Sequence, residues 1–224
     1  MMSRVKLQNH AAKVTGMNGP FLVGERVYLR ALSKHDLGTR YFQWFNDQES
    51  DILTDHAIWP NTKKRMEKFL ERVTRGGNDL VLAIIVQAGG RHIGNVGLHR
   101  ISWIHRRAEM AILLGEERAR NHGYGPEAMR MLAAYAFNKL NLNRIGLGVS
   151  AENRGAIRAY KKAGFVEEGC FEQHFIRGGR SYATVRMRLL RSEFVRRFAD
   201  EGRWFTMGIA AGRAQIPSRR SAKS

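Results

Sequence analysis

The 224-residue sequence has one cysteine, Cys170, and only four prolines. A single cysteine excludes an internal disulfide and any cysteine-built metal site within one chain. With no nucleophile motif around it, Cys170 reads as a small apolar filler. Long hydrophobic runs are also missing: the longest, Leu80 to Val86, has seven residues, against the ~20 that a membrane-crossing helix needs. Arg4 and Lys6 are followed by no apolar stretch of signal-peptide length, so the expected location is cytoplasmic, with no membrane partner. The eight histidines lack paired spacing such as His-Glu-x-x-His. They read as surface or packing residues, and no metal is implied. Acids are scarce, 20 against 38 lysines and arginines, for a net charge of +18. Residues 1–23 carry +3 and residues 191–224 carry +5, which leaves +10 on 24–190. Such a field attracts polyanions and anionic small molecules without specifying a fold, so nucleic acid, ribosome and sugar nucleotide all fit as partners.

What is present is enough for a core: 43% of residues are hydrophobic and 9% aromatic, the composition of a folding chain. One mixed domain over 21–190 is expected, with a loose arm over 1–20 and a C-terminal helix and basic tail over 191–224. Arg26 to Leu32 alternates apolar and polar residues as a half-buried strand does. Ser33 and Asp36 resemble a capping box ahead of a helix through Leu37, Tyr41, Trp44 and Phe45. A second helix is expected from Thr62 to Arg75, ended by Gly76-Gly77. Leu80 to Gln87 and Arg91 to Trp103 read as a hairpin turning at Gly89-Gly90, and Arg107 to Leu114 as the next strand. Pro126 suits a helix's first residue and opens a helix to about Asn141. A strand over Arg144 to Val149 and a helix over Asn153 to Ala163 capped by Gly164 come next. Strands over Phe165 to Ile176 and Ser181 to Leu190 then turn at Gly178-Gly179, and a short helix over Ser192 to Ala199 closes the fold.

The chemistry concentrates between the Arg107–Leu114 strand and the helix at Pro126. Gly123 and Gly125 stand two apart at a helix entry, where unpaired amides and the positive end of the dipole favour an anion, and Arg118 and Arg120 add charge. The alternative is that the glycines only shape the entry. Neither a Walker nor a Rossmann pattern is present.

Arg120-Asn121-His122-Gly123-Tyr124-Gly125 resembles the Arg/Gln-x-x-Gly-x-Gly/Ala coenzyme A signature of the GNAT acetyltransferase superfamily. Downstream, Asn153 to Phe165 is similar to that family's Asn-x-x-Ala-x-x-x-Tyr-x-x-x-Gly-Phe helix. The resemblance covers about residues 24–190 and points to the branch of ribosomal-protein, spermidine and amino-sugar acetyltransferases. It implies an α+β fold: a mixed, mostly antiparallel, twisted sheet of about seven strands, flanked by about four helices with a short C-terminal one. It further implies acetyl-CoA as cosubstrate, its pyrophosphate on the Arg120–Gly125 amides and its pantetheine arm along Ile112, Leu113 and Leu114. A backbone amide there would meet the thioester oxygen, the position where a prealigned donor contributes most.

An alkylamine acceptor resembles lysine, with a pKa of ~10.4, and must lose a proton to attack. Glu109 is the candidate base, with a surface ion pair to Arg106, Arg107 or a cross-strand arginine as the alternative. Ribosomal-type relatives carry a glutamate on the next strand, where this chain has Gly148. Tyr160 is the candidate acid for the departing thiolate, with core packing as the alternative. Asn153 either caps its helix or bonds the cofactor arm. Trp44-Phe45-Asn46-Asp47 resembles a Trp-x-Asn-Asp pattern of the amino-sugar branch, with core aromatics and a polar stop as the alternative. The basic domain suits an amino sugar or sugar nucleotide better than a polycation. A ribosomal-protein N-terminus is a second acceptor, and a non-catalytic nucleic-acid-binding module is the competing class. The expected assembly is a monomer or homodimer.

Overall fold

The structure is a computed structural model that describes residues 19–46 and 59–198 and the backbone of 206–207. Its strands are β1 (Leu22–Val23), β2 (Val27–Ala31), β3 (Leu80–Val86), β4 (His92–Ser102), β5 (Arg107–Leu114), β6 (Arg144–Ser150), β7 (Val166–Arg177), β8 (Arg180–Leu190) and β9 (Thr206–Met207). Its helices are α1 (Tyr41–Trp44), α2 (Lys63–Thr74), α3 (Tyr124–Asn138), α4 (Arg154–Ala163) and α5 (Arg191–Phe198). The strands form one sheet in the order β7-β8-β6-β5-β4-β3-β2-β1-β9. Every neighbouring pair is antiparallel except β5 and β6. The order of long elements is the one the sequence implies, and the mixed sheet flanked by helices is the expected α+β class. Two strands of two residues each, β1 and β9, lie beyond the seven expected.

The sheet has a core on each face. Leu82, Ile84 and Val86 point to a large cluster that takes Met129, Leu132 and Phe137 from α3, Ile157 from α4 and Phe194 from α5. Val81, Ala83 and Ile85 point the other way, into a smaller cluster with Tyr41 and Trp44 of α1 and Met66, Leu70 and Val73 of α2. A strand covered on both faces must be apolar at every position, which is why Leu80 to Val86 is the longest hydrophobic run. Each such side chain fully buried contributes ~1.5–3 kcal/mol.

Two elements depart from their expected form. The first helix is broken into a 3-10 turn over Lys34–Gly38 and the four-residue α1. The Asp36 carboxylate turns back to the Arg30 guanidinium, at 2.6 and 2.8 Å, and to the Ser33 amide at 2.8 Å. Thr39 is then extended, so the chain restarts instead of continuing. α3 begins at Tyr124, two residues before Pro126, because Gly123 caps it with φ of +79°. Pro126 still sits in the first turn, where an amide has no intrahelical partner to lose. The arm over 1–20, the tail beyond Phe198, Asp47 and most of the link to α2 lie outside the described residues apart from Gly19, Pro20 and the β9 backbone.

Candidate active site

β5 and β6 pair in parallel over three positions only, Arg107 with Arg144, Ala108 with Ile145 and Glu109 with Gly146. Beyond Glu109 they part, β6 continuing against β8 and β5 against β4. Residues 110–114 of β5 therefore have an open backbone edge, with the N-terminus of α3 at its far end. A methyl added at Gly125 would lie 3.4 Å from Leu114 Cδ1 and 3.7 Å from Ile112 Cδ1, so the glycine loop rests directly on the strand end.

Within that loop, the amides of Asn121 through Gly125 donate to no acceptor among the described residues. Asn121 and Gly123 are both left-handed, with φ of 65° and 79°, and the His122 ring stacks on Tyr124. Five free amides at a helix start are the donor set an anion needs, so the loop fits a pyrophosphate. Arg118 lies on the 3-10 turn Glu117–Ala119 ahead of the loop, and the Arg120 guanidinium is 3.5 Å from Glu117.

The loop is held by Arg26, just ahead of β2, a residue that the sequence pattern puts only on the polar face of a strand. Arg26 donates to the carbonyl oxygens of His122 (2.8 Å) and Gly123 (3.4 Å), and its Nε to Glu127 of α3 (2.9 Å). The Glu127 side chain is only 3% exposed and also accepts from the amides of Arg26 (2.9 Å) and Val27 (3.3 Å). A lone acid in the otherwise apolar stripe of α3 was the available signal.

On the α1/α2 face of β4 and β5, a cleft of about 270 Å3 opens between Tyr41, Phe45, Asn61, Arg65, Met66 and Phe69 above and the sheet below. Asn95, Gly97 and His99 of β4 stand beside Leu113, Ala111 and Glu109 of β5 in register. The described lining carries Arg65 and His99 but no carboxylate. Trp44 covers Gly115, where any side chain would overlap its indole, and its Nε1 donates to Glu116 at 3.1 Å. A second, larger cleft of about 760 Å3 lies beyond Trp44, among Arg30, Asp36, Arg40, Arg91, Glu116 and Arg118.

Glu109 is ion-paired with a cross-strand arginine, Arg186 of β8, at 3.0 and 3.1 Å, and not with Arg106 or Arg107. The pair crosses β6 where Gly146 and Gly148 leave room: methyls there would lie 3.1 Å from Glu109 Oε1 and 3.2 Å from Arg186 Nη1. Asn153 caps α4, its side chain accepting from the Ala156 amide at 3.0 Å. Tyr160 packs on the large core, its ring edge-on to Phe165 with centroids 6.1 Å apart. Its hydroxyl bonds to nothing among the described residues, and burial pushes its phenol up to about 12.

The acetyltransferase (GNAT) domain family matches residues 26–166. Spermidine N(1)-acetyltransferase of Vibrio cholerae is 35% identical over 114 residues, 51% of this chain and 65% of that protein. The first curated relatives are thus matched over about half to two thirds of their length. A probable N-acetyltransferase of Bacillus subtilis, YjcK, is 31% identical over 66% of this chain and 84% of its own. Among solved structures, the Vibrio cholerae spermidine N-acetyltransferase in complex with CoA and spermine aligns with a TM-score of 0.69 at 26% identity, covering 76% of this chain and 98% of that one. With the parted strands, the glycine loop and a family match across them, this chain belongs to the GNAT acetyltransferase family.

Proposed function

We propose that the protein transfers the acetyl group of acetyl-CoA directly to a primary amine. The observation that carries this is the adjacency of an open β5 edge and five unpaired amides at the α3 start. The Asn121–Gly125 amides would take the pyrophosphate, with Arg118 and Arg120 adding charge, and the edge at Ile112 to Leu114 would bind the pantetheine arm. An amide on that edge would donate to the thioester oxygen as it gains charge, the interaction that most lowers an acyl-transfer barrier.

Tyr160 acts at the leaving sulfur. A phenol at about 12 stays protonated at any working pH, and full transfer to a thiolate whose acid has a pKa of ~8.5 would run uphill by ~3.5 units, ~5 kcal/mol. Tyr160 therefore acts as a hydrogen-bond donor to the departing thiolate, which takes its proton from the acylated nitrogen. Glu109, neutralised by Arg186, suits electrostatic support at the parting of the strands better than proton abstraction.

For the acceptor, the cleft with Arg65, His99 and no carboxylate among its described lining favours an amine on a neutral or anionic body, such as an amino sugar or sugar nucleotide. A polyamine is the second reading. It is favoured by the spermidine enzymes among the relatives and by four acids, Asp47, Glu49, Asp51 and Asp55, in the sequence linking α1 to α2. Acetyl-CoA supplied with UDP-glucosamine, glucosamine, spermidine or a peptide bearing a free N-terminus, with products read by mass, separates these. Acetylated amino sugar supports the first reading, acetylated spermidine replaces it with the second, and thiol release without any acetylated amine sinks both.

A further inference from the structure

We infer that His99, oriented by Asp79, is the base that deprotonates the acceptor amine. The inference rests on the acetyl-transfer reading above, which needs a proton acceptor beside the β5 edge and leaves Glu109 occupied by Arg186. The imidazole stands in the acceptor cleft, opposite Glu109 in the β4–β5 register and one pleat from Gly97, which faces Ala111. Its Nε2 lies 3.1 Å from where a Gly97 side chain would start, so the ring leans over the gap that glycine leaves in the floor.

The other ring nitrogen is held. Nδ1 is 3.1 Å from Asp79 Oδ1, just ahead of β3. A carboxylate can only accept, so in the neutral ring Nδ1 carries the hydrogen and Nε2 presents its lone pair to the cleft. Asp79 is itself fixed, by Arg72 of α2 at 2.6 Å and by the Arg100 amide at 3.3 Å. A carboxylate that orients an imidazole and then stabilises the imidazolium is the arrangement that makes histidine an effective base; the Asp79 side chain is partly buried, 16% exposed. Imidazole is also the side chain whose ordinary titration falls near neutral pH, where an alkylammonium of pKa ~10.4 is almost wholly protonated. The other charged groups around the ring are Arg65 from α2 and the Glu109–Arg186 pair from β5 and β8.

The protons balance. Nε2 takes one proton from the alkylammonium, and the free amine attacks the thioester carbon, forming the C–N bond. The C–S bond then breaks as the nitrogen's second proton passes to the sulfur, giving amide and free thiol. The imidazolium, 29% exposed at the cleft, returns its proton to solvent, so each turnover releases one.

Two measurements test this. In 15N-histidine spectra of the intact protein, with the His99 signals identified by their loss in His99→Gln, the neutral ring should carry its hydrogen on Nδ1. Asp79→Asn should abolish that preference. A wild-type ring protonated on Nε2 would overturn the inference whether or not an acceptor is known. In kinetics with glucosamine, spermidine and a glycine-headed peptide, whichever amine the wild type acetylates should lose about a hundredfold or more in kcat/KM at pH 7 in His99→Gln, the scale of a lost general base. The deficit should shrink as pH approaches the amine's own pKa, with acetyl-CoA affinity unchanged. A pH-independent deficit, or none, would overturn it, whereas a wild type silent on every amine would count against the acceptor reading and leave the tautomer result to decide.

Discussion

Replacing Arg26 by alanine should weaken acetyl-CoA binding without unfolding the protein. Its guanidinium holds the His122 carbonyl at 2.8 Å and the Gly123 carbonyl at 3.4 Å; the second is near the limit of a hydrogen bond, so the clamp amounts to little more than one charge-assisted bond. Such bonds contribute ~1.5–3 kcal/mol, and with the Arg26 side chain 49% exposed solvent screening reduces this to ~1–2 kcal/mol. At ~1.4 kcal/mol per decade, the dissociation constant should rise roughly fivefold to thirtyfold, because the loop must be ordered at the moment of binding. Glu127 keeps the backbone amides of Arg26 and Val27 as donors but loses its charge partner, so the variant also loses some stability while keeping its fold. Titration calorimetry with acetyl-CoA at fixed salt reads the change, with circular dichroism confirming the fold. A folded Arg26→Ala protein that binds within twofold of wild type would refute the clamp.

Other outcomes follow from the same geometry. Tyr160→Phe should lower turnover tenfold or more at nearly unchanged acetyl-CoA affinity, and steady-state kinetics beside calorimetry will tell. The same phenol, at about 12 when folded and ~10 when unfolded, supports stability that is complete below pH ~10 and declines as pH rises toward 12. Tyr160→Phe should flatten that decline in urea titrations. The Asp36 carboxyl is buried, which alone would raise it, yet Arg30 and the Ser33 amide hold it below the usual carboxylate range. Its contribution is present above pH ~3.9 and lost as pH falls through the lowered value. Asp36→Asn should therefore cost ~3–5 kcal/mol at neutral pH by leaving Arg30 without its charge partner, and should make denaturation below pH 4 less steep. An Asp36→Asn protein as stable as wild type would remove the ion pair from the account.

Most long elements were legible because their signals are local: alternation in β2, the Gly76-Gly77 stop after α2, paired glycines at the hairpin turns, Gly164 after α4. Non-local features were not. Nothing in Arg107–Leu114 or Arg144–Ser150 announces that they pair over three residues and then part, since that follows from β6 turning to β8 and not from either strand's composition. The first helix broke because Asp36 found a partner, Arg30, six residues earlier, beyond the reach of a helical pattern. β1 and β9 are two residues each, too short to show a period. For the candidate site, the Arg120–Gly125 and Asn153–Phe165 patterns pointed to the loop and to Tyr160. Arg26 ahead of β2, Asp79 ahead of β3, His99 on β4 and Glu127 on α3 are far apart in sequence and are brought together only by the fold.

The central claim, that Arg120–Gly125 with the open β5 edge is an acetyl-CoA site, is tested most directly by thermal unfolding with and without acetyl-CoA. At about 100 times its Kd the ligand should add ~2.7 kcal/mol, a rise in Tm of ~5–11 °C for a domain of this size. Gly123→Ala, whose methyl would meet strained backbone at φ of +79° and the Arg26 guanidinium 3.0 Å away, should lose most of that rise. No shift with acetyl-CoA, alongside salt-sensitive binding of RNA or DNA, would contradict the account and make the +18 chain a nucleic-acid-binding module instead.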